Sequence, residues 1–214
     1  MKSVPTLLRI AEHEALARMT LSGSIIDLGG DARGEYRGYL PGEHTFTTVN
    51  LAPHALPDIT HDLETPLPCA DASFDHALLI NVLEHVYHAR ALLQEAVRVV
   101  RPGGSLVVIV PFLFPLHEDP HDFWRFSRET LERMCAEAGL QNVRITPLGS
   151  GIFAARYVML DRLLPFPVRL LMFYTLRFQV WVADAVFTRL AHKLGKKYQP
   201  ADYALGYAVE AHKT

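Results

Sequence analysis

Cysteine is scarce in this 214-residue chain. Cys69 and Cys135 stand far apart in unlike surroundings, which excludes a disulfide framework and a thiolate zinc site and fits a reducing cytoplasm best. A surplus of one charge is also missing. The 21 basic and 23 acidic residues leave a formal charge of −2, so no polyanion-binding surface is indicated and nucleic acid is not an expected partner. Half of the residues are hydrophobic and 21% are charged, which excludes wholesale disorder. Long apolar runs are missing as well. Arg9, Glu12, Glu14 and Arg18 interrupt the opening stretch, unlike a signal peptide, and no uncharged run within 158–194 exceeds seven residues, against the ~18 that a bilayer span requires. Neither export nor a membrane crossing is expected. What the chain does have is histidine: eleven of them, which calls for metal, proton or polar-substrate chemistry.

The first 19 residues read as an amphipathic helix carrying Leu7, Leu8, Ala11, Ala15 and Met19, a cover for the domain that comes after it. Ser24–Leu28 is a nearly continuous apolar run that stops at Gly29-Gly30, as a strand buried on both faces does. The signal returns at Thr45–Leu51, Ala77–Ile80 and Ser105–Val110, with helices expected between. One helix spans His88–Val100 and stops at Arg101-Pro102-Gly103-Gly104, and another runs from an N-cap at Ser127 to Gly139. Alternation of strand and helix predicts a doubly wound α/β sheet with right-handed crossovers. Ligands bind such sheets beyond the carboxyl ends of the strands, so the loops after Leu28, Val49, Ile80 and Val110 are where function is expected.

The loop Asp27-Leu28-Gly29-Gly30-Asp31 puts glycine where backbone must approach a ligand closely. Asp31 would repel a phosphate, so a cofactor without phosphates fits better than a dinucleotide. Further along, in order, come Asp62-Leu63-Glu64-Thr65-Pro66-Leu67-Pro68, Ser73-Phe74-Asp75, Asn81-Val82-Leu83-Glu84-His85-Val86 and Arg98-Val99-Val100-Arg101-Pro102-Gly103-Gly104. With Ile25–Gly30 they make the chain resemble the class I S-adenosylmethionine-dependent methyltransferases, of the type 11-like kind, over about Ser24–Leu140. The resemblance implies a mostly parallel, seven-stranded Rossmann-like sheet and S-adenosyl-L-methionine as cofactor. It implies that Asp27, Gly29, Gly30 and Asp31 line the methionine part and that Asn50, with Leu51, stands where the family usually has an acidic residue on the ribose hydroxyls. It further implies that Asp62 reaches the adenine amino group beside Leu63, and that Asn81 and Val82 close the pocket. Two departures matter: Asp31 and Arg33 replace later glycines of the loop, and Asn50 lacks the carboxylate. A charge-assisted hydrogen bond is roughly twice as strong as a neutral one, so weaker cofactor binding is expected.

The stretch Pro111–Ser127 contains a literal H-E-x-x-H, His117 to His121, the zinc-peptidase signature. Pro120 breaks the helix that signature needs, so no metal ligands are assigned. The same stretch resembles a loop of a methyltransferase subgroup associated with surface-glycan biosynthesis, which implies that His117, His121, Asp122 and Arg125 lie over the methyl group, with Phe123, Trp124 and Phe126 as an apolar or sugar-stacking wall. In the competing reading, Asp122 and Arg125 form a structural ion pair and the aromatics fill the core. For a hydroxyl acceptor the chemistry needs in-line placement and a base, ordered here as His117, then His121, then His85. The other eight histidines read as surface or satisfied polar residues.

Between Val158 and Leu194 the chain is rich in Leu, Phe, Val and Met, broken by Pro165 and Pro167. Its charged positions Arg169, Arg177 and Asp184 share about a quarter of the helical circumference, yet Phe173 and Val180 lie among them, so the helix is apolar nearly all round. It is expected to be buried, to form a homodimer, or to lie peripherally on the inner face of the membrane beside Lys193, Lys196 and Lys197. The expected organisation is a single domain: an N-terminal helix over 1–20, a cofactor-binding core over 21–157, a hydrophobic helical insertion over 158–200 and a final strand over 201–214. The expected function is methyl transfer to an oxygen of a saccharide, glycolipid or other small molecule, the alternatives being a non-catalytic scaffold of the same fold and a metallopeptidase.

Overall fold

The computed structural model describes residues 5–31, 34–117, 120–161 and 163–214, without the side chains of 161, 166, 169 and 172–178. Helix α1 (Leu7–Leu16) opens on Thr6, whose hydroxyl accepts the amide of Arg9. Then come β1 (Gly23–Leu28), β2 (His44–Asn50), a two-residue β3 (Ile59–Thr60), β4 (Phe74–Ile80), α2 (Ala89–Val99), β5 (Val100–Pro111), α3 (Arg128–Glu137), β6 (Leu140–Leu148), α4 (Ile152–Asp161), α5 (Phe166–Lys193) and β7 (Gly206–Lys213). The seven strands are ordered β3-β2-β1-β4-β5-β7-β6, with β7 antiparallel to both neighbours and every other pairing parallel.

Alternation along the central strands divides the core in two. Ile26, Leu28, Ala77, Leu79, Leu106, Val108 and Val110 face α2 and α3, packing with Leu92, Leu93, Ala96, Leu131 and Met134. Ile25, Leu78, Ile80, Val107 and Ile109 face the other way, onto Leu8 and Leu16 of α1 and Tyr157 and Val158 of α4. Helices thus cover both faces, as a doubly wound sheet requires.

The expectation of a helix between successive strands fails in the first half. A 3-10 turn at Glu35–Tyr39 joins β1 to β2, and a shorter one at Pro53–Ala55 precedes β3. The segment after Gly30 has few long apolar side chains at helical spacing, so it has no stripe to bury. Strands β3 and β6, which apolar runs did not reveal, sit at the two sheet edges, and β6 alternates exposed and buried residues. The final strand, expected over 201–214, starts only at Gly206, and Pro200–Tyr203 form a 3-10 turn before it.

Helices α4 and α5 lie between β6 and β7. Asp184, one of the three charged positions on a helix read as apolar nearly all round, is buried: its carboxylate accepts the amides of Phe153 (3.0 Å) and Ala154 (3.1 Å) at the start of α4. The Tyr198 hydroxyl accepts the amide of Ile152 at 3.0 Å, so α5 and its flank cap the helix before them. The side chains of Arg169, Phe173 and Arg177 lie outside the described residues.

Candidate active site at the carboxyl ends of β1, β4 and β5

Two clusters of polar groups meet at this end of the sheet. The first surrounds Asp27, the fifth residue of β1, whose side chain is fully buried. One carboxylate oxygen accepts the Tyr36 hydroxyl at 2.6 Å and Arg37 Nε at 3.1 Å, while the other has no hydrogen-bond partner among the described residues. Burial raises the Asp27 pKa to about 6, against the lowering effects of Tyr36 and Arg37. Arg37 also donates to the carbonyl of Asp31 at 2.6 Å and so ties the 3-10 turn to the loop. The two glycines are required by close approach. At Gly29, where φ is +82°, a Cβ would lie 2.6 Å from Val82 Cγ2, and at Gly30 it would lie 2.4 Å from the Asp27 carboxylate.

Asn50, expected on the ribose hydroxyls, is largely engaged elsewhere. Its amide nitrogen donates to the carbonyls of Gly29 (2.9 Å) and Gly30 (3.2 Å), and its oxygen accepts the amide of Ala52 at 2.9 Å. A carboxylate could not make the two donations, which gives the amide a structural reason at this position. Asp62 turns back to accept the amide of Glu64 at 3.0 Å, Leu63 is buried beside it, and Leu51 is exposed. Arg33 lies outside the described residues.

Asn81, one residue past β4, adopts φ +50°, a left-handed conformation that asparagine tolerates better than most residues. Its amide donates at 3.0 Å to Glu12 of α1, a carboxylate 2% exposed. Burial raises the Glu12 pKa despite Arg9, which stands 3.2 Å from its second oxygen. The helix read as a mere cover therefore reaches the end of β4 through a buried polar contact.

The second cluster begins three residues later. Glu84 is fully buried, and neither of its carboxylate oxygens has a hydrogen-bond partner among the described residues. Burial raises its pKa to about 8. The Nε2 atoms of His85 and His117 stand 3.7 and 3.8 Å from Glu84 Oε1, and the two imidazoles meet edge to face with centroids 5.1 Å apart. His85 Nδ1 bonds the carbonyl of His121, while His117 Nδ1 lies 3.3 Å from the carbonyl of Pro115 and 3.4 Å from Asp122. Burial lowers the His117 pKa, favouring the neutral ring. The His121 side chain is exposed, so this residue enters the cluster through its backbone.

The loop after β5 is fastened over the segment after β4. Phe123 N donates to the carbonyl of Glu84 at 2.7 Å, and the Trp124 indole donates to those of Val86 and Tyr87 at 3.2 Å. Arg125 pairs with both oxygens of Asp122 and donates to the carbonyls of Phe114 and Pro115. Burial alone would raise the Asp122 pKa, but Arg125 and the His117 amide hold it at about 2. Asp122 and Arg125 thus form the structural ion pair of the competing reading, orienting His117. The aromatics divide: Phe126 is buried, whereas Phe123 and Trp124 remain substantially exposed and contact Tyr87. Among the described residues of Pro111–Ser127 no helix forms, so His117 and His121 do not sit on the shared helical face of a zinc peptidase, and Glu118 lies outside them.

Residues 30–108 match the family profile of a methyltransferase domain. Over 96 residues the chain is 32% identical to the O-methyltransferase resE of Aspergillus sclerotiorum, covering 40% of this chain and 36% of that protein, about a third of its length. Solved structures extend the likeness over nearly the whole chain. A SAM-dependent methyltransferase from Archaeoglobus fulgidus superposes with a TM-score of 0.58 at 15% identity, covering 97% of this chain and 92% of its own. One from Thermotoga maritima, described as a possible histamine N-methyltransferase, gives 0.58 at 15% identity over 96% and 89%. The fold is that of the S-adenosylmethionine-dependent methyltransferases. The [4+2]-cyclase SpnF is also similar, with a TM-score of 0.59 at 20% identity over 94% of this chain and 80% of its own, so a methyltransferase fold does not by itself fix the reaction.

Of the residues gathered in these clusters, sequence reasoning named Asp27, the two glycines, Asn81, His85 and His117 and passed over Tyr36, Arg37, Glu12 and the carboxylate of Glu84. Tyr36 and Arg37 carried no recognised motif. Glu84 had a signal: an acidic residue inside the apolar run Val82-Leu83-Glu84-His85-Val86.

Proposed function

We propose that the protein transfers a methyl group from S-adenosyl-L-methionine to an oxygen of a small acceptor, with a saccharide or glycolipid as the leading class. The observation that carries this reading is a pair of buried carboxylates, Asp27 and Glu84, with oxygens that have no partner among the described residues, at the ends of neighbouring strands β1 and β4. The residues fit the cofactor. Asp27 offers an unpartnered acceptor for the ammonium of its methionine part, the glycine loop leaves backbone open to close approach, and Asp62 and Leu63 lie beyond β3 for the adenine. Asn81 and Val82 close the loop from the side of β4. When bound, the cofactor supplies an electrophilic sulfonium methyl.

The chain's own part is to place an acceptor hydroxyl and take up its proton. His117 is suited to that: Asp122 and Pro115 hold its Nδ1 side, and its Nε2 faces the Glu84 pocket. His85 flanks the acceptor, and Phe123, Trp124 and Tyr87 form an exposed aromatic wall on which a sugar ring could stack. His117→Ala is expected to lower turnover about 10²- to 10⁴-fold while leaving affinity for S-adenosylhomocysteine unchanged. Mass spectrometry of hydroxyl-bearing acceptors, in parallel with binding measurements, checks both halves. Equal turnover in the variant would remove His117 from the chemistry.

The insertion supports a place of action at a membrane surface. Trp181 is 70% exposed, and Leu171, Val186, Leu190 and Leu194 are exposed with it, next to exposed Lys193, Lys196 and Lys197. Among the described residues no helix is long and apolar enough to cross a membrane. An apolar surface beside a basic cluster suits peripheral contact with the anionic inner face of a membrane, where a cytoplasmic enzyme would meet a lipid-linked acceptor of glycan biosynthesis. Co-sedimentation with anionic but not neutral liposomes is the expected result. Concentration-dependent dimers without liposome binding would assign the surface to a second copy instead.

A further inference from the structure

We propose that Glu84, His85 and His117 form a binding site for one divalent first-row transition-metal ion. This goes beyond methyl transfer and does not depend on it, and it departs from the sequence reading, which assigned no metal. The excluded H-E-x-x-H arrangement would have paired His117 with His121. The structure pairs His117 instead with two consecutive residues at the end of β4.

Four observations converge. The three side chains each bring one ligand atom into a group whose members lie within 4.8 Å of one another. Around an ion with bonds of about 2.1 Å, donors stand roughly 3 to 3.4 Å apart, and the Nε2 atoms of His85 and His117 are already 3.7 and 3.8 Å from Glu84 Oε1. Both imidazoles are held from behind in the manner of metal ligands, whose second ring nitrogen meets a carbonyl or carboxylate: His85 Nδ1 at the carbonyl of His121, His117 Nδ1 at Pro115 and Asp122. These contacts place the N–H at Nδ1 and leave the Nε2 lone pair facing Glu84. Finally, the Glu84 side chain is fully buried with no hydrogen-bond partner on either oxygen among the described residues, and a buried carboxyl group so placed needs either a proton or a cation to compensate it, so an ion would take the place of the proton.

The charge arithmetic agrees. One carboxylate and two neutral imidazoles leave a divalent ion with net positive charge, and the neighbouring Arg125 is already matched by its two-point pairing with Asp122. Two nitrogens and one oxygen, with further positions open, suit zinc, iron, cobalt or manganese better than calcium. An acceptor hydroxyl bound at an open position would lose its proton more readily, so an ion there would replace His117 as the agent of deprotonation.

The test uses the full chain, stripped with a chelator and titrated calorimetrically with cobalt(II) or zinc(II). One ion per chain is expected, with a visible absorption band for the cobalt form and a rise in melting temperature on loading. Glu84→Gln and His117→Ala should each weaken binding at least tenfold, whereas His192→Ala, outside the cluster, should not. Glu84→Gln keeps the shape of the side chain, and its metal-free melting temperature should not fall below that of the wild-type protein. Absence of stoichiometric binding, or affinity unchanged in both cluster variants, would overturn the proposal. S-adenosylhomocysteine titration of the metal-free protein is a separate measurement, so failure of either reading can be seen without the other.

Discussion

The Asp27 and Glu84 clusters lie at the ends of adjacent parallel strands, yet they treat a buried carboxylate in opposite ways. Asp27 is held by Tyr36 and Arg37, residues supplied by a short turn nine and ten positions along the chain, and only one of its oxygens is left unpartnered. Among the described residues Glu84 has no such local partners. The loop that closes over it comes from beyond β5, and what that loop brings near the carboxylate is imidazole rather than guanidinium, Arg125 being spent on Asp122. A charge held by its own neighbours is ready to orient a fixed, recurring ligand. One enclosed by a distant loop, with neither oxygen hydrogen-bonded among the described residues, is arranged for reaction or for an ion, and its chemistry changes when the loop does.

The comparison can be strained first at its stiffest point. Arg125→Ala should cost about 3 kcal/mol of stability in urea unfolding, because the Asp122 side chain loses its two-point cationic partner and keeps only its contacts to His117. Cofactor binding by the molecules that remain folded should be unaffected, since the Asp27 cluster lies on another loop. Loss of both together would mean that the two clusters are one unit.

Next in size is the pH response of Asp27, whose pKa stands at about 6 against an ordinary 3.8. Between these values the native state keeps a proton that the unfolded chain has released. This residue's contribution to stability is therefore present below the lower value and declines as pH rises through about 6, by at most about 3 kcal/mol. Asp27→Asn should abolish that slope in melting experiments compared with the wild-type protein. Affinity for S-adenosylhomocysteine should run the other way, strengthening as pH rises through 6 and the carboxylate forms.

The smallest effect is expected at Asn50. Asn50→Asp would set a carboxylate against the carbonyls of Gly29 and Gly30 and should cost about 1–3 kcal/mol of stability, despite bringing in the acid that related methyltransferases usually carry there. A variant that binds the cofactor more tightly with undiminished stability would show that the amide holds nothing.

Buried strands such as Ser24–Leu28 and Ser105–Val110 were legible in the sequence because nearly every residue in them is apolar, and the Ser127 cap and Gly139 stop were legible from local chemistry. Edge strand β6 escaped because a half-exposed strand leaves only a weak alternation, and β3 because it is two residues long. The same division holds in the site. Asp27, Gly29 and Gly30 announce themselves as a compact motif, but Glu12, Tyr36, Arg37 and Asp184 acquire their roles from groups that only folding brings near. Asp184 is the plainest case: the helical wheel gave it no partners, and two amide groups 30 and 31 residues earlier in the chain supply them.

Calorimetric titration of the wild-type chain with S-adenosylhomocysteine tests the central claim most directly. The expected result is one molecule bound per chain, with the heat lost in Asp27→Ala. No heat at high micromolar ligand would contradict it and leave a methyltransferase fold put to another use.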